Sequence, residues 1–330
     1  MRHVAAILIF AGMSAAAQTV TQVETVGETA TVDAVTQTQD VRFKTDNADR
    51  MTVPVTLGGR GPFRFLVDTG ADRTVVSRQV AGRLRFDPGP SATMHSISGA
   101  SSVPTARLPQ LSFSKRQVDG LRAVLLDGNH VGADGVLGTD SLRSQRILFD
   151  FKRQLLSITP TTRELVREER GTIVVRAKER EGRLIVTDAF ANGARVRVII
   201  DTGSQFTIGN TALRRAMLGT KVSKDSIPVV VQSVTGATLP GEVNEIAELQ
   251  LGEVKLAKLK IVYADAHTFR QLGMDDRPAL LLGMNALRAF QLVSIDFAKR
   301  RLRVLLPGKG SSMDQDQLAA AHSTRRRAGG

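Results

Sequence analysis

The sequence predicts an all-β (mainly β) fold of two similar lobes, each built from one repeated unit. Three observations carry that expectation. The tripeptide Asp-Thr-Gly occurs twice, at 68–70 and 201–203, after alternating or aliphatic runs (PFRFLV, ARVRVII) and before a second short β-type run. Further matches follow in the same order. HSISGA (95–100) corresponds to QSVTGA (232–237), and GVLGTDSLRSQRILFDFKRQLLSI (135–158) to LLLGMNALRAFQLVSIDFAKRRLRVL (280–305). The offset between the copies grows gradually along the chain, as loop insertions in the second copy would produce.

Taken in order, residues 1–17 read as a secretory signal peptide. Arg2 supplies the positive start, Val4–Met13 the apolar run, and Ser14–Ala17 the small residues that place cleavage after Ala17. The run is too short to span a bilayer. Residues 18–45 are rich in Thr, Val and Gln, with no Leu, Ile or aromatic before Phe43, and are expected to form a disordered leader. The first lobe is placed at 46–160 and the second at 171–307, with the polar stretch 161–170 between them as a linker that follows Pro160. Residues 308–330 read as a disordered tail. Within the lobes, Ser77 is expected to cap a helix over 78–84 and Asn210 one over 211–217. DSLRS and NALRAF suggest a short helix after each lobe's later glycine. ILFDF with LLSIT, and VSIDF with RLRVLL, read as matched hairpins.

Composition bounds the chemistry. Hydrophobic residues at 42% and charged residues at 23% suit a soluble globular chain. With no Trp, one Tyr and 13 Phe, aliphatic side chains must fill the core. The absence of cysteine excludes disulfides, thiolate nucleophiles and thiolate metal sites. Histidines at 3, 95, 130, 267 and 322 lack metal-site spacing, so no metal is expected. The net charge of +13 lies almost wholly within 46–307. Such a diffuse positive field favours acidic substrates or a weak attraction to anionic surfaces, and it equally fits a merely solvated basic surface. Export and the lack of interleaved aromatics argue against nucleic acid.

The repeated tripeptide has a physical logic. A strand delivers Asp to a tight turn, Gly removes the Cβ so that another backbone can approach, and the Thr hydroxyl can bond backbone groups and lock the turn. When two lobes face each other, two such turns meet and their carboxylates share one site.

On VDTGADRTVVS and IDTGSQFTIGN, and on Val136-Leu137-Gly138 and Leu281-Leu282-Gly283, the chain resembles the pepsin–retropepsin superfamily of aspartic proteases, specifically its bacterial retropepsin-like members. The resemblance covers about 46–307. It implies two retropepsin-like acid-protease lobes forming a pseudo-dimer with the active site between them. Asp68 and Asp201 would be the catalytic pair, holding one proton between them and activating water. Thr69, Gly70, Thr202, Gly203, Ser204, Gly138 and Gly283 would support the turns. Ser98, Gly99 and Ala100, and Thr235, Gly236 and Ala237, would be the flap tips.

The resemblance further implies an extended polypeptide as substrate, no cofactor, activity as a monomer, and a periplasmic or secreted processing endopeptidase. Asp72 would bind substrate backbone, or else be a solvated or salt-bridged turn residue, and Gln205 stands in its place in the second lobe. Ser204 is expected to donate to Asp201 and favour its ionised form, leaving the shared proton on Asp68; the alternative is that Ser204 satisfies its own turn. Several features depart from the pattern. No Tyr lies near either flap, the lobes are short, and Thr139 and Met284 follow the later glycines where retroviral enzymes carry Arg. The competing functions are a non-catalytic peptide-binding module that keeps the fold and an envelope-associated protein using its basic surface. Loss of either Asp would mark the former, and neither is lost.

Overall fold

The computed structural model describes residues 22–25, 40–42, 44–45, 51–114, 116–142, 144–161, 172–180, 182–220 and 226–307. The signal segment 1–17, most of the leader, the linker beyond Thr161 and the tail 308–330 lie outside the described residues.

The fold is mainly β and has two lobes, each built on its own mixed sheet, with a third sheet joining them. The central strand order is the same in both lobes. In the first, the strand ending at the Asp turn (Arg60–Val67) lies parallel to Gly135–Leu137. That strand is antiparallel to Val75–Ser77, which is parallel to Arg122–Leu126. The second lobe repeats the pattern with Arg197–Ile200, Ala279–Leu282, Thr207–Gly209 and Val254–Ala264. The internal repeat is thus a repeat of topology.

The aliphatic runs before each Asp follow from this central placement. Phe65 and Val67 point into the large core cluster, while Leu66 between them enters a second cluster on the other face. Val198 and Ile200 likewise face the large core and Ile199 the opposite cluster. A strand buried on both faces reads as a continuous apolar run, not an alternation. Towards the lobe surface alternation returns, with Arg60 and Arg64 exposed and Phe63 buried.

The third sheet has six strands, in the order Thr172–Arg176, Arg301–Leu305, Leu292–Asp296, Gln145–Asp150, Leu155–Pro160, Asp40–Arg42. Its two central hairpins are the matched pair read from the sequence, one from each lobe. They meet antiparallel, with Arg146 opposite Asp296 and Asp150 opposite Leu292. Arg146 Nε lies 3.2 Å from Asp296 Oδ2 with both side chains buried. The large core cluster runs without a break from Phe65 through Phe149 and Ile295 to Ile200.

The described residues of the leader lie in short strands. Gln22–Thr25 pairs with the strand Val254–Ala264, Asp40–Arg42 with Leu155–Pro160, and Lys44–Thr45 with Met51–Leu57. Main-chain pairing onto an open sheet edge needs no large apolar side chain, so the lack of Leu and Ile did not forbid it. Asp40–Arg42 closes one edge of the joining sheet as Thr172–Arg176, the start of the second repeat, closes the other.

Helices are few and short. Ser77 caps Arg78–Leu84 by accepting from the Val80 N–H, and Asn210 caps Thr211–Leu218 by accepting from the Leu213 N–H. The short turns Thr139–Leu142 and Met284–Leu287 follow the later glycines as expected.

Candidate active site

The two Asp-Thr-Gly turns interlock. Thr69 Oγ1 donates to the Ile200 carbonyl at 2.9 Å and accepts from the Thr202 N–H at 3.1 Å. Thr202 Oγ1 donates to the Val67 carbonyl at 2.7 Å and accepts from the Thr69 N–H at 3.1 Å. Both threonines are buried, so four hydrogen bonds in a dry setting lock one lobe's turn to the other's.

This lock brings each glycine against the opposite carboxylate. A Cβ on Gly70 would stand 2.7 Å from Asp201 Cγ, and one on Gly203 would stand 2.2 Å from Asp68 Cγ. Any larger residue would push the carboxyl groups apart, which is the physical reason for glycine at both places. Within its own turn, Asp68 Oδ1 accepts from the N–H groups of Gly70 and Ala71 at 2.7 and 3.1 Å. Asp201 Oδ1 accepts from those of Gly203 and Ser204 at 3.0 and 3.1 Å.

Removal from bulk water, and then the neighbouring Asp68 charge, push the Asp201 carboxyl up to about 7 against the pull of its N–H donors and of Arg183. The Ser204 hydroxyl does not reach Asp201. It donates to the Phe206 carbonyl at 2.7 Å, and only the Ser204 main-chain N–H serves the carboxylate. The expectation that this hydroxyl keeps Asp201 ionised is corrected: Ser204 satisfies its own turn, and Asp201 is held above the ordinary carboxylate range.

Behind each turn runs the strand that ends in the later glycine. The Asp68 N–H donates to the Leu137 carbonyl and the Asp201 N–H to that of Leu282, both at 3.1 Å. Gly138 lies against the Arg73–Thr74 peptide and Gly283 against the Phe206 carbonyl, where a Cβ would approach to 2.4 Å in each case. Sequence reasoning missed two residues that fix these crossings. The Asp140 carboxylate accepts from the Thr74 N–H and hydroxyl, and Asn285 Oδ1 accepts from the same groups of Thr207. The signal was present, since Thr recurs at the sixth position after each Asp and Asp or Asn at the second after each later glycine.

Arg183 was also missed. Its buried guanidinium crosses from the second lobe, with Nε donating to the Gly70 carbonyl at 2.8 Å and Nη2 lying 2.8 Å from Asp72 Oδ1. Asp72 is therefore a salt-bridged turn residue, and it remains 43% exposed. No sequence neighbour announces this pairing, because Arg183 lies outside both motifs, on a strand paired with the one that leads to Asp201.

The glycine-bearing segments expected as flap tips lie at hairpin turns. Pro88–Ser96 and Gly99–Arg107 form one hairpin, and Ile227–Gln232 and Thr238–Leu251 the other. The tips meet between the lobes, with Ser98 Oγ and Thr235 Oγ1 3.5 Å apart. Among the described residues no cluster of three or more His, Asp or Glu is suited to a metal ion.

A family model described as aspartyl protease matches this chain twice, over residues 53–141 and 187–286. No curated protein matches it.

Proposed function

This chain belongs to the aspartyl protease family, and we propose that it hydrolyses peptide bonds with water activated between Asp68 and Asp201. One observation supports this above the rest: two interlocked turns hold two carboxyl groups so close that each touches the other's glycine, with one of them raised to about 7. Two carboxyl groups so placed share one proton, as in aspartic proteases generally. One member of the pair carries that proton and hydrogen-bonds the scissile carbonyl oxygen as it gains charge. The ionised member takes a proton from the attacking water. The tetrahedral intermediate then collapses as a proton passes to the leaving amine, so the pair ends with the protons it began with. Arg183, tied to Gly70 and Asp72, positions the first turn and moderates the rise at Asp201.

The substrate in this reading is an extended polypeptide lying between the flap hairpins and the paired turns, where strand-like hydrogen bonding gives sequence-tolerant affinity. The partly exposed Asp72 is available to its backbone. The enzyme acts as a single chain, is exported through the segment 1–17, and processes proteins in the periplasm or outside the cell. Cleavage of an unfolded protein by residues 18–330 across pH 3–8, beside Asp68→Asn and Asp201→Asn, tests the chemistry. Loss of cleavage in both folded variants is expected. Undiminished cleavage in either one refutes the shared site, and a folded wild type that binds peptide without cutting it supports the binding module instead. Mass measurement of the exported chain, expected to begin at Gln18, tests the signal.

A further inference from the structure

Each flap tip is seated on the opposite lobe. Ile97, at the tip of the first flap, packs into the second lobe's cluster with Phe269, while Val234 of the second flap packs into the first lobe's cluster with Val131. The receiving elements are matched short helices, Gly128–Val131 and His267–Gln271, and each carries a histidine. Gly236 of the second flap lies so close to His130 that a Cβ there would stand 2.4 Å from the ring Cε1.

The first flap makes a different contact. His95 Nδ1 lies 2.9 Å from His267 Nε2, and the His267 main-chain N–H donates to the Ile97 carbonyl at 2.8 Å. The ring planes differ by 4° and the centroids are 5.2 Å apart. That separation is close to the nitrogen–nitrogen distance plus the two ring radii, so the rings meet in line through those nitrogens and do not stack face to face. The second flap has Gln232 at the position matching His95, so the imidazole pair belongs to the first flap alone.

We infer that His95 and His267 form a proton-released latch, which holds the first flap on the second lobe while either ring is neutral and frees it when both are protonated. This regulation rests on the reading of the cleft as a peptide site, because the flap it frees is the one that would admit substrate. When both rings are neutral, one donates and the other accepts. With one proton added the bond persists and becomes charge-assisted. With two, N–H faces N–H, no acceptor remains, and two cations repel at contact distance.

The surroundings offer the second proton no relief. On the two strands of the first flap, Arg107 at the far end is the only charged residue besides His95, and the second flap's tip (233–237) has no ionisable side chain. On the receiving helix stands Arg270, and Asp265, the nearby carboxylate, is paired with it. Burial, His95 and Arg270 together hold His267 below the usual imidazole range. The closed state therefore binds fewer protons than the open one. Its advantage is complete at neutral pH and is lost as pH falls, tenfold for each unit by which closure lowers the value.

The chain has no cysteine, so a spin-label pair can be introduced cleanly. Ala100→Cys on the first flap and Asp275→Cys on the second lobe are both at exposed positions. Interlabel distances are read in the full chain carrying Asp68→Asn, between pH 8 and pH 4.5. One short distance is expected at neutral pH, with a longer population growing to the majority below about pH 6, under the ordinary imidazole value. The variant His95→Asn/His267→Gln, which keeps amide groups where the two nitrogens meet, should stay closed throughout. An unchanged distance down to pH 4.5, or the same opening in the amide variant, overturns the latch. Should the labelled chains fail to fold, ring NMR of the unlabelled protein decides. Coupled titration with His267 below the ordinary imidazole range supports the latch, and independent titration of both rings in the ordinary range refutes it. Neither readout needs turnover, so an inactive protein with a proton-released flap sinks the protease reading alone, and an active one with a fixed flap sinks the latch alone.

Discussion

Replacing Asp201 by Asn removes a charge while keeping the volume and the Oδ1 acceptor for the N–H groups of Gly203 and Ser204. The wild-type carboxyl moves from an ordinary 3.8 to about 7 on folding. The folded chain therefore binds more protons than the unfolded chain between those values, and stability falls as pH rises through that window. Three units at 1.36 kcal/mol each give a ceiling of about 4 kcal/mol, shared with Asp68 because the two groups titrate as a pair. At pH 4 the carboxyl is largely neutral and the Asn variant should match the wild type. At pH 8 the variant should be the more stable, by up to about 4 kcal/mol on the same conversion. Urea unfolding of both proteins at half-unit steps from pH 4 to pH 8 reads the difference directly. A difference that stays flat across the series, or that grows as pH falls, refutes the raised titration of the carboxyl pair.

Three further outcomes follow from the same geometry. Thr202→Val deletes the hydroxyl that serves both Val67 and Thr69, and should lower stability by about 1–3 kcal/mol in thermal unfolding, because a buried carbonyl and N–H lose their partner together. Arg146→Leu leaves Asp296 buried without its cross-lobe partner and should cost about 3–5 kcal/mol, with Asp296→Asn in the same chain recovering part of the loss in urea unfolding. Gly283→Ala forces a Cβ to 2.4 Å from the Phe206 carbonyl, so the second turn must shift; peptide cleavage should fall by more than tenfold in a chain whose circular dichroism is unchanged, and full activity would show that the turn tolerates the displacement.

Much of this architecture was legible because the chain states it twice. The central strands, the capped helices at Ser77 and Asn210 and the matched hairpins each appear in both copies, and agreement between copies filters out chance patterns. The paired turns were legible for the same reason. What stayed hidden depends on contact between copies. Arg183 reaches Gly70 and Asp72 across the lobe boundary, and His267 meets His95 over a separation of 172 residues. Neither residue sits in a motif. The Ser204 hydroxyl was misread because the turn aims it at the Phe206 carbonyl, and only the Ser204 main-chain N–H serves Asp201. The leader strands were missed because a sheet edge recruits main chain, to which composition is blind.

The joining sheet has a consequence for how the two halves vary. Both Asp turns lie on one covalent chain, and the sheet's central hairpins join the two lobes that carry them. A symmetric pair of identical chains would write every substitution into the site twice. Here each half changes alone, and the differences are already visible: Asp72 against Gln205, Ala71 against Ser204, Asp140 against Asn285, His95 against Gln232. Directionality, a left and a right for whatever threads the cleft, is thus available to this chain through single substitutions.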